Sequence, residues 1–214
     1  MYVPEHFAEA DADALIARLA RRFAGVLVSV DGDGQPVATH MPLLWDAERR
    51  IVSGHIARAN PQWKLGAGRA LIVLAGPEAY VSPSYYPSKA EHGKTVPTWN
   101  YEAVHLSGPV EWFDDAARLE DVVHRLSELH EHDRAEPWRI EDAPPSYVSA
   151  MLRGIVGVEM RVERVEAKRK LSQNKSTSDC EGVIAGLSEG DAAATEIAAL
   201  MQAIRAVSDD PDGN

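Results

Sequence analysis

The stretch that decides the fold is residues 26–45, VLVSVDGDGQPVATHMPLLW. Its first five residues, Val26–Val30, form an apolar run typical of a β-strand, and the turn residues Asp31–Gly34 end that run. Asp-Gly pairs favour the positive φ angles of tight hairpin turns, so a second strand should follow directly. Apolar and other side chains then alternate over 37–45, as expected for that strand. Pro42 lies inside it without an N–H for the sheet ladder, which predicts an edge, a bulge or a ligand-facing position.

The same reasoning extends to the rest of the chain. Apolar runs and alternation predict further strands over 50–55, 71–74, 79–82, 95–112 and 156–162. Helical spacing and capping residues predict helices over 11–22, 61–65, 119–129, 144–152 and 188–207. Short strands with hairpin-length turns crowd the first half, which favours a barrel or sandwich over βαβ units. We therefore predict a mainly β, α+β fold with flanking helices: a domain over 1–187, a C-terminal helix over 188–207 and a disordered tail over 208–214.

Composition excludes several classes of protein. The 214 residues contain 22 Lys and Arg against 33 Asp and Glu, a net charge of -11, which disfavours non-specific binding to nucleic acid or anionic lipid. The longest apolar run, 70–75, is far shorter than the ~20 residues of a membrane helix, and no signal peptide is visible. Cys180 is the only cysteine, so no internal disulfide forms. These features predict a cytoplasmic protein that has no membrane partner.

Familiar catalytic and metal motifs do not explain the chain. The histidines of His130-Glu131-His132 diverge on a helix and cannot chelate one ion, and a lone cysteine cannot start a zinc cluster. The sequence contains no nucleophile elbow and no glycine-rich phosphate loop. We therefore assign no metal ligand and no catalytic residue.

A predicted strand end and the turn after it suggest an anion site instead. Ser53 and His55 come at the end of a strand, Arg58 follows, and Asn60-Pro61 starts a short helix. A guanidinium, hydroxyls and the free N–H groups of a helix start are suited to a dianion. The alternative is that Asn60 is only a helix cap and Arg58 only a surface charge. Spacing alone leaves both interpretations open.

Four motifs in order carry a family resemblance. They are GHIARANP at 54–61, YVSPSYYPSK at 80–89, VPTWNY at 96–101 and KLSQN at 170–174. The chain resembles the PaiB family, the FMN-binding negative transcriptional regulators, from Met1 to about Leu187. The resemblance implies a flavin-binding split β-barrel related to pyridoxamine-phosphate oxidase and to flavin reductases. It also implies a homodimer with FMN in a cleft at the interface.

The resemblance further implies which residues bind FMN. One strand would pass the flavin ring, the strand and turn after it would hold the phosphate, and the long strand and the C-terminal segment would reach the cleft, the latter also from a partner subunit. These cofactor-binding residues are Thr39, His40, Met41, Pro42, Ser53, Gly54, His55, Arg58, Asn60, Trp99, Asn100, Lys170 and Gln173.

Three functions remain open at this point. The family label implies a transcriptional regulator, and the basic stretch Arg161–Lys175 could face DNA phosphates, although no helix-turn-helix is evident. The second is an FMN-dependent oxidoreductase or flavin reductase, in which the cofactor carries the chemistry and Tyr85, Tyr86 and Lys89 would contact substrate. The third is an interaction scaffold that has lost flavin.

Overall fold

The structure is a computed structural model that describes residues 1–209, with side chains described through Ala206. Its strands are β1 Gly25–Val30, β2 Pro36–Met41, β3 Leu43–Asp46, β4 Ile51–Ala57, β5 Gly68–Val81, β6 Thr98–Phe113, β7 Ile155–Arg161 and β8 Arg164–Lys170. Its α-helices are α1 Ala12–Arg22, α2 Ser88–His92, α3 Ala116–Glu131, α4 Pro145–Arg153, α5 Thr177–Ser188 and α6 Ala192–Asp209. Short 3₁₀ helices cover Glu5–Phe7, Pro61–Leu65, Pro83–Tyr85 and Ile140–Asp142.

The strands form one sheet in the order β2-β1-β5-β6-β7-β4-β3, and β8 pairs with β6. The first and last strands of this order, β2 and β3, are consecutive in the chain and only Pro42 separates them. The sheet therefore curls until its two ends meet, which makes it a barrel. This arrangement confirms the predicted fold class, a mainly β, α+β barrel with flanking helices.

Two glycines make room for the bend at Pro42. A Cβ on Gly54 would lie 2.3 Å from the Met41 Cε and 2.6 Å from the Pro42 carbonyl oxygen. A Cβ on Gly25 would lie 2.2 Å from the Leu43 Cδ1. A side chain at position 54 would collide with the Pro42 backbone, so that position requires glycine, whereas at position 25 the Leu43 side chain would have to move.

The chain divides into two compact units. Unit 1 contains residues 1–10, 76–103 and those from 167 onward, and unit 2 contains 11–75 and 104–166. In unit 1, apolar side chains of α5 and α6 such as Val183 and Ile197 form one core with Val81, Tyr86 and Leu171. In unit 2, Leu119, Val122 and Leu126 of α3 pack with Leu44, Phe113 and Leu152.

The structure contains the helix cap and the hairpin turn that the sequence predicts. The Asp11 side chain caps α1, and the Asp31 N–H closes the predicted hairpin onto the Gln35 carbonyl at 2.9 Å. Pro42 does break the predicted second strand into β2 and β3. The predicted tail begins within α6, and its residues 210–214 lie outside the described residues.

Other elements differ from the prediction. The two strands predicted at 71–74 and 79–82 are one strand, β5, which continues through Gly76 and Pro77. Strand β8 and helix α5 were not predicted. Five of the seven residues of β8 are charged, which hides the alternation of a strand. Helix α5 begins inside the polar stretch 170–179, although its later residues Val183 and Leu187 are buried.

Candidate FMN site

The turn that follows β4, residues 58–64, includes the predicted phosphate residues Arg58 and Asn60 and forms most of the 3₁₀ helix Pro61–Leu65. Asn60 caps this helix, because its Oδ1 accepts a hydrogen bond from the Gln62 N–H at 3.0 Å. The Asn60 Nδ2 donates to the Thr39 Oγ1 at 2.8 Å. Both Asn60 and Thr39 were predicted site residues, and the structure brings them together.

Gln62 anchors the 58–64 turn to the barrel. Its side chain is 1% exposed, and its Nε2 donates to the Leu27 carbonyl at 3.2 Å, the Ser29 Oγ at 3.1 Å and the Val37 carbonyl at 3.3 Å. Sequence reasoning missed this residue. In the sequence, Gln62 is a polar residue directly after the Asn-Pro start of a helix, and this pattern does not indicate that it is buried.

Arg58 is held by the protein itself. Its Nε donates to the Arg153 carbonyl at 2.9 Å, its Nη2 to the Ile155 carbonyl at 3.1 Å, and its Nη1 lies 3.4 Å from the Asp114 carboxylate. A guanidinium has five N–H groups, so these three contacts leave two for a ligand.

Trp63 lies beside two cationic side chains at the same turn. The Arg58 guanidinium lies 5.9 Å and the Lys64 ammonium 5.8 Å from the centre of its ring, which are cation–π distances. The Trp63 Nε1 donates to the Arg58 carbonyl at 2.9 Å, which fixes the indole. Two cations beside one rigid ring are suited to a phosphate dianion. Lys64 was not among the predicted site residues.

Ser53 and His55 have other partners. The Ser53 Oγ lies 3.5 Å from the Glu159 carboxylate, which also accepts from Arg118 at 3.0 Å. His55 lines an apolar cavity of about 180 Å³ between α3 and α4, and its buried Nδ1 has no hydrogen-bond partner among the described residues. Burial lowers the pKa of His55, so its imidazole is neutral at pH 7.

The residues at the end of the predicted ring-binding strand mainly pack inside the barrel. Met41 is buried in the core, and Gly54 packs against Met41 and the Pro42 carbonyl. His40 is exposed on β2, where it pairs with Val26 of β1. Of the predicted residues 39–42, Thr39, His40 and Pro42 are at least partly exposed, whereas Met41 is buried.

The remaining predicted residues belong to unit 1, in the turn 170–175 and the start of β6. The Lys170 Nζ donates to the Thr98 Oγ1 at 2.6 Å and to the Trp99 carbonyl. The Gln173 side chain accepts from the Leu171 N–H at 2.7 Å and donates to the Arg169 carbonyl at 2.6 Å. Gln173 therefore stabilises the turn on which it lies.

Asn100 also supports the 170–175 turn. It is fully buried, and its side-chain amide exchanges two hydrogen bonds with the Ser172 hydroxyl, at 3.0 and 3.2 Å. Ser172 has a φ of 65°, a left-handed conformation that is strained for a residue with a side chain. The hydrogen bonds of the Asn100 amide therefore stabilise the strained backbone of Ser172. Because Asn100 is fully buried, its side chain lies too deep to touch a flavin in the single chain.

The chain matches the family described as "Putative FMN-binding domain" over residues 1–164. It is also 32% identical over 207 residues to "Protease synthase and sporulation protein PAI 2" of Bacillus subtilis, across 94% of this chain and 97% of that protein. The chain belongs to this family, the PaiB family. The predicted family is thus confirmed, and FMN is the cofactor.

Solved structures agree on the fold. A conserved hypothetical protein of Mycobacterium tuberculosis matches with a TM-score of 0.55 at 16% identity, over 81% of this chain and 92% of that one. The flavocytochrome Anf3 of Azotobacter vinelandii matches with a TM-score of 0.53 at 13% identity, over 78% and 72%. The FMN-binding split β-barrel prediction is therefore confirmed as the fold of this family member.

The donor set of the 58–64 turn fits the phosphate end of FMN. Arg58, Lys64 and the second Asn60 amide hydrogen would hold the phosphate, and the Trp63 indole would keep the two cations in place. When bound, FMN supplies the capacity to accept and release electrons. The protein's own contribution here is charge neutralisation and orientation. Among the described residues no group could hold a metal ion, and no helix is long and apolar enough to cross a membrane.

Proposed function

We propose that the chain acts as an FMN-binding homodimer that regulates gene expression in the cytoplasm, in the manner that the PaiB family label implies. The observation that carries the FMN part is the pair of cations, Arg58 and Lys64, beside the Trp63 ring. The name of the Bacillus subtilis relative refers to protease synthase and sporulation and to no small-molecule substrate, which supports the regulatory part.

Exposed aromatic side chains in unit 1 support self-association. Trp99 is 50% exposed and packs edge-on against Tyr80, which is 49% exposed, with ring centres 5.9 Å apart. Val96, which is 70% exposed, lies three residues before Trp99 in the chain. Large aromatic residues are enriched at the centres of protein interfaces, and this patch is the surface through which we propose that the homodimer forms.

Two measurements test the cofactor and the dimer. Titration of the FMN-free protein with FMN should give at least about tenfold weaker binding for Lys64→Met, while the matched variant Lys89→Met binds normally. Light scattering should show a dimer for the natural chain and a monomer for Trp99→Ser, with Trp138→Ser as the control. Normal FMN affinity in Lys64→Met, or a dimeric Trp99→Ser variant, would contradict the respective proposal.

The ion pairs that the basic stretch Arg161–Lys175 forms with carboxylates favour a second function, that of an FMN-dependent oxidoreductase. The guanidinium of Arg161 lies 3.0 Å from Glu163, that of Arg164 lies 2.9 Å from Glu166, and that of Arg169 contacts both Glu9 and Glu102. Carboxylates thus neutralise much of the positive charge that the stretch would offer to DNA phosphates.

The two functions differ in what they bind and what they reduce. For a regulator that contacts DNA directly, affinity for promoter DNA should fall steeply between two salt concentrations. For an oxidoreductase, anaerobic mixing of the FMN-loaded protein with NADH or NADPH should bleach the flavin absorbance band. Bleaching without DNA binding would reject direct regulation and favour the enzyme.

A further inference from the structure

Unit 1 contains a small cavity of about 150 Å³ at the 170–175 turn. Its lining is unusually rich in hydrogen-bond donors. The residues that line it are Phe7, Tyr86, Val96, Thr98, Asn100, Lys170, Ser172, Asn174 and Lys175. Cofactors and drug-sized ligands occupy roughly 300 Å³ or more, so this volume suits a much smaller molecule than FMN.

Tyr86 is the first indication that a ligand belongs in the cavity. Its side chain is 3% exposed, and its hydroxyl has no hydrogen-bond partner among the described residues. Buried hydroxyls nearly always have a partner, so this one calls for an explanation. Burial and the nearby Asp179 carboxylate raise the pKa of Tyr86, which keeps the hydroxyl protonated and able to donate.

The second indication is the positive charge of Lys170 and Lys175, for which the contacts of the described residues show no carboxylate partner. The Lys175 ammonium lies 5.1 Å from the centre of the Tyr86 ring. Lys170 donates only to neutral oxygens, the Thr98 hydroxyl and the Trp99 carbonyl, among its bonds described above. Burial, followed by repulsion from Lys168 and Lys175, lowers the pKa of Lys170. An anion between the lysines would relieve that repulsion.

The Asp179 carboxylate, which acts on the Tyr86 hydroxyl, already has hydrogen-bond partners. The Asp179 oxygens accept hydrogen bonds from the Ser88 N–H at 3.1 Å and the Ser88 hydroxyl at 2.9 Å. Asp179 therefore tethers α2 to α5, and its two oxygens are aimed at Ser88.

We propose that this cavity is a second anion site, separate from the FMN phosphate site, that binds a small oxyanion such as a carboxylate or a phosphate. The Tyr86 hydroxyl would donate to the anion, and Lys170 and Lys175 would neutralise its charge. The Asn100 and Gln173 contacts described above hold the turn that presents both lysines. This inference does not depend on whether the protein is a regulator or an enzyme.

Calorimetric titration of the FMN-loaded protein with inorganic phosphate, and separately with acetate, tests the proposal. We expect saturable binding of at least one of them, with chloride as the reference salt. Tyr86→Phe should weaken binding about tenfold, because it removes one hydrogen bond to a charged group and nothing else. Lys175→Met should weaken it about fivefold, whereas the matched surface variant Lys94→Met should bind like the natural chain.

Each outcome decides the question. Because the Tyr86 hydroxyl has no partner, Tyr86→Phe should unfold at the same denaturant concentration as the natural chain, so a loss of binding cannot be ascribed to misfolding. Absence of saturable binding by either anion, or unchanged affinity in both variants, would overturn the proposal. Binding to the FMN-free protein that FMN abolishes would also overturn it, because the cavity would then belong to the flavin.

Discussion

The 58–64 turn of unit 2 and the 170–175 turn of unit 1 both carry two cations, but the protein holds them differently. In the first, Arg58 is tied to two backbone carbonyls and lies beside the Asp114 carboxylate. In the second, Lys170 bonds to neutral oxygens, and uncharged side chains such as Asn100 and Gln173 hold the backbone. The first turn thus presents rigid, partly balanced charge, and the second presents charge that has no bonded carboxylate in the contacts described above.

The difference teaches that a basic motif becomes a binding site through its local partners. A guanidinium anchored at three points keeps its orientation but has fewer N–H groups for a ligand. The half-buried Lys170 ammonium with neutral partners has a lowered pKa and gains more from an incoming anion. Substitutions in and around the two turns test this contrast.

Removing the anchor of the 58–64 turn should have the largest effect. Gln62→Leu leaves the Leu27 carbonyl, the Ser29 hydroxyl and the Val37 carbonyl without this donor, so the free energy of unfolding should fall by about 3 kcal/mol. Urea unfolding measures it, with the exposed Gln35→Leu as the control. Equal stability in both variants would show that Gln62 does not anchor the turn.

The anchor of the 170–175 turn should matter somewhat less. Asn100→Leu removes both hydrogen bonds to the Ser172 hydroxyl, and we expect a loss of about 2 kcal/mol in the free energy of unfolding. Asn174→Leu, at an exposed position of the same turn, is the control. If Asn100→Leu were as stable as the natural chain, the Ser172 conformation would not need the amide.

Exchanging the two kinds of cation sharpens the contrast further. Arg58→Lys cannot reach both the Arg153 and Ile155 carbonyls, so FMN affinity should fall about tenfold, or about 1.4 kcal/mol. Lys64→Arg keeps a cation beside Trp63 and should bind FMN normally. Fluorescence titration with FMN compares them, and full affinity in Arg58→Lys would show that the fork geometry is not used.

Acid should affect unit 2 through His55, whereas the 170–175 turn contains no histidine. Burial depresses the pKa of His55 below its ordinary 6.5, so the unfolded chain binds the proton more readily than the folded chain. Stability should therefore fall as the pH drops below 6.5 and level off below the folded pKa. His55→Gln should make this part of the urea-midpoint profile less steep, while the exposed His40→Gln should not; burial also lowers the pKa of His105, so part of the slope should remain.

The surface ion pairs of β8 should matter least. Arg164→Met breaks an exposed pair with Glu166, and such pairs contribute less than about 1 kcal/mol to stability. The free energy of unfolding should change by less than about 0.5 kcal/mol at moderate salt. A larger loss, measured by urea unfolding, would mean that this pair supports the strand.

The sequence was sufficient for the features with local causes. The Asp-Gly hairpin, the Asp11 and Asn60 caps and the strand break at Pro42 each follow from one or two residues and their backbone preferences. The family and its cofactor followed from ordered motifs that extend over most of the chain. Those motifs also pointed to both cationic turns.

Side-chain partners were beyond local reasoning. Ser53 and His55 stand on the same face of β4, but only the packed helices α3 and α4 determine that His55 lines an apolar cavity. Asn100 was predicted to bind FMN from the family resemblance, yet its side chain bonds to Ser172, which lies 72 residues away in the chain. Strand β8 was not predicted because five of its seven residues are charged, and the partners of Arg169, Glu9 and Glu102, lie in distant segments.

The bend at Pro42 has a topological consequence. Because the outermost strands of the barrel order, β2 and β3, are joined by one residue, continuity of the chain keeps these two ends of the sheet together. A circular permutant with new termini in the Asp31–Gly34 hairpin would preserve that covalent link and should fold. A permutant opened between Met41 and Pro42 would break the covalent link between β2 and β3. It would expose two unpaired strand edges, which favour strand-swapped aggregates.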